Sequence, residues 1–249
     1  MCTVSYIKVN EQYIFSSNRD ENINRPLAIA PMKIEHEGYS LYYPTDPLAN
    51  GTWFCVKSDG TVFVLLNGAI QKHQPQPYYR KSRGLVLLEI IAESNMMVEW
   101  ERVELENIAP FTIIAFRSGT LVQFLWDGSE KQTDFLDSSK PYIWSSVTLY
   151  TQEIRDKRKK WFHEFLVDKQ FHPTDAELLQ FHTQTEAQDH ENGLLINRKM
   201  EMLTKNVTQC VLTNNEFIIN HLDLISHEKS HLKDQIVVAQ TQALGVLVC

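Results

Sequence analysis

Four times along this chain, two short β-prone runs stand on either side of a turn signal. Residues 2–9 and 12–18 flank Asn10-Glu11, 53–57 and 61–67 flank Ser58-Asp59-Gly60, 111–117 and 120–126 flank Ser118-Gly119, and 208–213 and 216–222 flank Asn214-Asn215. Connections this short join antiparallel neighbours, because a parallel crossover needs a dozen or more residues. The pattern therefore predicts antiparallel sheets. Between the hairpins, Leu85, Leu87, Leu88, Ile90 and Ile91 predict a helix over 84–94, and a further strand is expected near 141–147. Helices are expected at 152–168 and 174–183, the second opened by Thr174 as N-cap. Residues 68–82, rich in Gln, Pro and Tyr, read as an irregular loop over a site, and 184–194 as a mobile polar loop. Strand pairs, then helices, then strand pairs fit one α+β domain over 1–249, with sheets packed face to face and helices outside.

Charge narrows the partners. A net charge of −7 argues against a nucleic-acid partner, which normally meets a basic surface. The one basic run, Arg155-Asp156-Lys157-Arg158-Lys159-Lys160, reads as the solvated face of a helix whose buried side carries Ile154, Trp161, Phe165 and Leu166. Cys2, Cys55, Cys210 and Cys249 show no paired spacing, so neither a disulfide framework nor a zinc knuckle is indicated. With no leader pattern and no apolar run of membrane-spanning length, the expected setting is the cytoplasm.

Cys2 follows the initiator methionine. Once Met1 is removed, this residue carries a thiol nucleophile and a free α-amine, whose ordinary pKa values of about 8.5 and about 7.7 to 8.0 let the amine take the thiol proton. The hairpin turn at Asn10-Glu11 brings Cys2 to the same end as Asn18-Arg19-Asp20-Glu21, expected as a turn after the second strand. An arginine there supplies the electropositive setting that a reactive thiol needs.

Met1-Cys2-Thr3-Val4, then Asn18-Arg19-Asp20-Glu21 followed by Arg25-Pro26, and then Asn50-Gly51-Thr52-Trp53 together resemble the NRDE family, also known as transport-and-Golgi-organization protein two-like. Leu65-Leu66-Asn67-Gly68 and Ser82-Arg83-Gly84 extend the likeness. The resemblance implies a four-layer αββα N-terminal-nucleophile hydrolase fold, similar to the choloylglycine hydrolase and penicillin V acylase group, whose members cut non-peptide C–N amide bonds. It further implies Cys2 as nucleophile, Asp20 as holder of the α-ammonium, Arg19 as the charge beside the thiol and Asn67 as oxyanion donor. Asn18, Trp53, His73 and Arg83 are the substrate-binding candidates.

The chain departs from these patterns in several places. Asn50 stands where the family has a glycine, and Ser17 stands where the acylases have an arginine. The second oxyanion asparagine and the distal arginine of the acylases have no clear match around Trp144-Ser145-Ser146 and Asn206-Val207-Thr208-Gln209. The expected partner is a small amide or lipid-like molecule, with no cofactor, no metal and no membrane span, and self-association is left open. The rival reading is a carrier for haem or for lipid and acyl ligands on the same fold, with Tyr78, Tyr79 and His73 lining a cleft. His227-Glu228-Lys229-Ser230-His231 matches the zincin pattern, but its charged flanks predict an exposed segment rather than an inward helix.

Overall fold

The structure, a computed structural model, describes residues 3–198 and 201–237. In chain order it comprises β1 Thr3–Val9, β2 Gln12–Asn22, β3 Ile29–His36, β4 Tyr39–Thr45, β5 Phe54–Lys57, β6 Val62–Asn67, α1 Arg83–Ala92 and α2 Met96–Arg102. Next come β7 Phe111–Arg117, β8 Thr120–Trp126, β9 Lys131–Leu136, β10 Tyr142–Ser145, α3 Gln152–Asp168 and α4 Asp175–Gln184. The last elements are β11 Asn197–Arg198, β12 Met202–Leu212, β13 Glu216–Asp223 and β14 Lys229–Gln235.

Two seven-stranded antiparallel sheets result. The first runs β10-β1-β2-β12-β13-β14 with β11 beside β12, and the second runs β3 to β9 in sequence order. All four expected hairpins form. At Ser118-Gly119 both turn residues have positive φ, 49° and 83°, and Arg117 pairs with Thr120. That is the primed turn geometry whose twist matches a right-handed strand pair.

Tyr6 and Phe15 of the first sheet meet Phe116 of the second, with ring centroids 6.3 and 5.7 Å away, so the sheets pack face to face. On the outer face of the first sheet, Ile7, Val9 and Ile14 pack with Phe162 and Leu166 of α3 and with Leu178 and Phe181 of α4. On the outer face of the second, Trp100 of α2 stacks on Phe124 at 4.8 Å. The order of layers is helix, sheet, sheet, helix, the α+β arrangement expected. Thr174 caps α4 in a reciprocal capping box with Glu177.

Three expectations are corrected, and the zincin-like segment is as expected. Residues 18–21 are not a turn: β2 continues to Asn22, because β12 extends to Met202 and pairs with it along that length. Arg158 is not on a solvated face; it is fully buried, on one stripe of α3 with Phe162 and Leu166. The 184–194 segment is tied down, since the carbonyls of Asn192 and Gly193 accept from Arg158 and that of Leu194 accepts from Asn18. Glu228 precedes β14 and His231 lies on it, with His227 in a left-handed conformation (φ 62°), so the two histidines do not share a helix. Both are exposed, as expected of that segment. Among the described residues, no helix is long and apolar enough to cross a membrane, and no group of three or more His, Cys, Asp or Glu could hold a metal ion.

Candidate active site

β2 builds the site. Its side chains alternate between two faces, and its register sets Asn18 opposite Thr3 on one side and Arg19 opposite Asn206 and Asp20 opposite Thr204 on the other. Asn18 and Asp20 meet residues of the helix layer, whereas Arg19 reaches towards the second sheet. Cys2 and its α-amine lie outside the described residues.

Asn18 is fully buried, and its Nδ2 donates to the carbonyls of His182 (3.0 Å) and Leu194 (2.7 Å). Its Oδ1 is thereby left to accept from Nδ1 of His182. That contact fixes the neutral tautomer, so Nε2 of His182 accepts from the Ser5 hydroxyl at 2.6 Å. Burial first, and the Arg158 charge second, push the His182 pKa down to about 3. Asp20 is 2% exposed, and its carboxylate accepts from Tyr150 Oη at 2.6 Å and Thr204 Oγ1 at 2.5 Å.

Tyr150 in turn lies under the Arg158 guanidinium, 3.6 Å from ring centroid to guanidinium carbon. Arg158 also donates to Thr3 Oγ1, to Gly193 O at 2.5 Å and to Asn192 O at 3.0 Å. One side chain thus joins the first residue of β1, the 192–193 segment and the aromatic partner of Asp20. The sequence carried one signal for it, the i, i+4, i+8 spacing of residues 158, 162 and 166. Tyr150, His182 and Thr204 were missed, because nothing local marks them.

Arg19 is 2% exposed, donates to Asp46 Oδ2 at 2.7 Å and lies with its guanidinium carbon 4.5 Å from the Trp53 ring centroid. Asp46 also accepts from Arg25 Nε at 2.9 Å. Burial alone would raise the pKa of Asp46, but the Arg25 and Arg19 guanidiniums and the Ala49 N–H outweigh it and hold the carboxyl below its ordinary value.

A cavity of about 190 Å³ opens here, lined among others by Arg19, Trp53, Asn67 and Arg83. Four of the residues singled out from sequence therefore meet in one place. Its wall depends on a close backbone approach. A Cβ on Gly84 would come 2.5 Å from Thr52 O, and one on Gly51 would come 2.7 Å from the Gly84 carbonyl carbon, so only glycine fits at either position.

Asn67 ends β6 and lines a second cavity of about 210 Å³ as well, with Ser145, Gln123, Arg155 and Lys159. Its own carbonyl accepts from Ser146 Oγ at 2.7 Å. His73 stands apart: it lines a different cavity of about 640 Å³ with Tyr79, Trp126 and Asp127. Burial, and then the charge of Arg83, hold the His73 pKa below its ordinary value.

The fold has solved relatives. An N-acylethanolamine-hydrolyzing acid amidase ortholog from Caenorhabditis elegans matches with a TM-score of 0.50 at 13% identity, over 86% of this chain and 93% of that one. A conjugated bile acid hydrolase from Clostridium perfringens matches with a TM-score of 0.46 at 11% identity, over 94% of this chain and 97% of that one. Among curated proteins, none matches the sequence. The sheet order and the helix layers are those of the N-terminal-nucleophile hydrolase fold. The family described as Transport and Golgi organisation 2 matches residues 1–242, nearly the full length, and the chain belongs to that family.

Proposed function

We propose that this protein is a cysteine N-terminal-nucleophile amidohydrolase that cleaves the C–N bond of a small linear amide. The observation that carries this reading is the concentration of buried polar side chains around the Thr3 end of β1: Asn18, Arg19, Asp20, Arg158 and Asn206 are all 2% exposed or less. Burying such groups costs free energy that a purely structural sandwich has no need to meet. Sites that must hold charge in a fixed orientation retain it.

In the proposed cycle the Cys2 thiol, deprotonated by its own α-amine, attacks the amide carbonyl and forms a C–S bond. Asn67 donates to the developing oxyanion. The α-ammonium returns the proton to the leaving nitrogen as the C–N bond breaks. Water then attacks the thioester, giving a carboxylic acid and the free thiol. Asp20, fixed by Tyr150 and Thr204, is the counter-charge for the α-ammonium, and Arg158 keeps Tyr150 and Thr3 in register with it.

The test is alkylation of the intact protein near neutral pH, followed by mass analysis of each cysteine. Cys55 and Cys210 are fully buried, and burial pushes their thiols well above the ordinary range, so they serve as slow internal standards. Cys2 should label fastest, and the purified chain should begin at Cys2. Labelling of Cys2 no faster than of the buried pair would remove the nucleophile from the proposal.

A further inference from the structure

Two buried side chains that line the same cavity each carry a donor without an acceptor among the described residues. Arg19 uses Nη2 for Asp46 at 2.7 Å and for Glu21 at 3.5 Å, while its Nη1 has no hydrogen-bond partner. The indole Nε1 of Trp53 has none either, although that side chain is only 3% exposed. Native proteins pair roughly 90% or more of such buried groups, so two unpaired donors on residues of one cavity point to an acceptor that the described residues do not supply.

Charge identifies the acceptor. Arg19 Nη1 belongs to a guanidinium, and a charged donor is answered more strongly by an anion than by a neutral acceptor such as water. A dianion would face the two carboxylates of the wall, Glu21 and Asp46. A single carboxylate avoids most of that repulsion, and its two oxygens suit an indole N–H and a guanidinium N–H carried by groups stacked 4.5 Å apart. The cavity of about 190 Å³ has the room of about six liquid waters, enough for a carboxylate and a short stem.

We propose that this cavity, through Arg19 Nη1 and Trp53 Nε1, binds the carboxylate of an acidic ligand, so that the amide cleaved at this site carries a carboxylate at one end. The second half of that statement rests on the hydrolase reading. The first half does not.

The experiment uses the full chain labelled with ¹⁵N-indole tryptophan, titrated with propionate and, separately, with propionamide as a neutral probe of the same shape. The five tryptophans give five indole N–H signals, and Trp53→Phe, which keeps a ring for Arg19 to stack on, identifies the one from Trp53. Propionate should move the Trp53 signal downfield and saturate, with propionamide at least tenfold weaker, and Trp53→Phe should weaken propionate binding about tenfold by calorimetry. A Trp53 signal that propionate leaves in place, or that propionamide moves equally well, overturns the proposal. Binding needs no turnover, so the two readings fail separately. Carboxylate binding with no amidase activity sinks the hydrolase, and turnover of neutral and acidic amides at equal rates sinks the acidic-amide half of the proposal.

Discussion

Arg158→Met is the sharpest test of how the site is held together. Methionine keeps most of the volume and the flexible stem of arginine, so the cost of the change comes from polar contacts rather than from a cavity. Three acceptors lose their donor: Thr3 Oγ1, Asn192 O and Gly193 O. An orphaned buried acceptor costs about 1 to 3 kcal/mol, and the desolvated stack on Tyr150 adds about 2 kcal/mol. Against these stands relief of a buried cation that has no carboxylate partner among the described residues, worth several kcal/mol in the opposite direction. The net expectation is a loss of about 3 kcal/mol. Lys159→Met, one residue along on the exposed face, should stay within about 0.5 kcal/mol of the parent. Urea denaturation followed by circular dichroism measures both. If the two variants melt alike, Arg158 is an ordinary surface cation and the network running from it through Tyr150 to Asp20 has no energetic content.

Further outcomes follow from the same contacts. The imidazole of His182, held neutral with a pKa near 3 against 6.5 when free, binds a proton in the unfolded chain before it does in the native state. Its contribution is therefore complete above pH 6.5 and is lost as pH falls towards 3, with about 2 kcal/mol gone by pH 5. His182→Gln should flatten the stability difference between pH 7 and pH 5 by that amount, and equal losses in parent and variant would contradict the assignment. Gly84→Ala should destabilise by about 2 kcal/mol or more, because the new Cβ meets backbone rather than a flexible side chain. A drop in thermal midpoint too small to measure would show that the Thr52 and Gly84 backbones separate freely.

What the sequence revealed, and what it hid, divides by range. The four hairpins were legible because each is specified within about fifteen residues by alternation and a turn signal. β3, β9 and β14 escaped notice: they lie at the sheet edges, carry mixed exposed residues and offer little apolar alternation to read. Arg19, Trp53, Asn67 and Arg83 do converge on one cavity, but that followed from family blocks rather than from spacing, which says nothing about where separate strands meet. The other half of the site comes from contacts such as Tyr150 to Asp20, His182 to Asn18 and Thr204 to Asp20, separated by 130, 164 and 184 residues. Arg158 shows how a local rule misleads. Charge runs are normally solvated, so the run reads as a unit, although residues two positions apart on a helix lie on opposite faces. Residues 158, 162 and 166 fall on one line down α3, and that line is buried. A cation can sit there because its partners, two backbone carbonyls, a hydroxyl and an aromatic face, are of kinds that no count of charged residues could register.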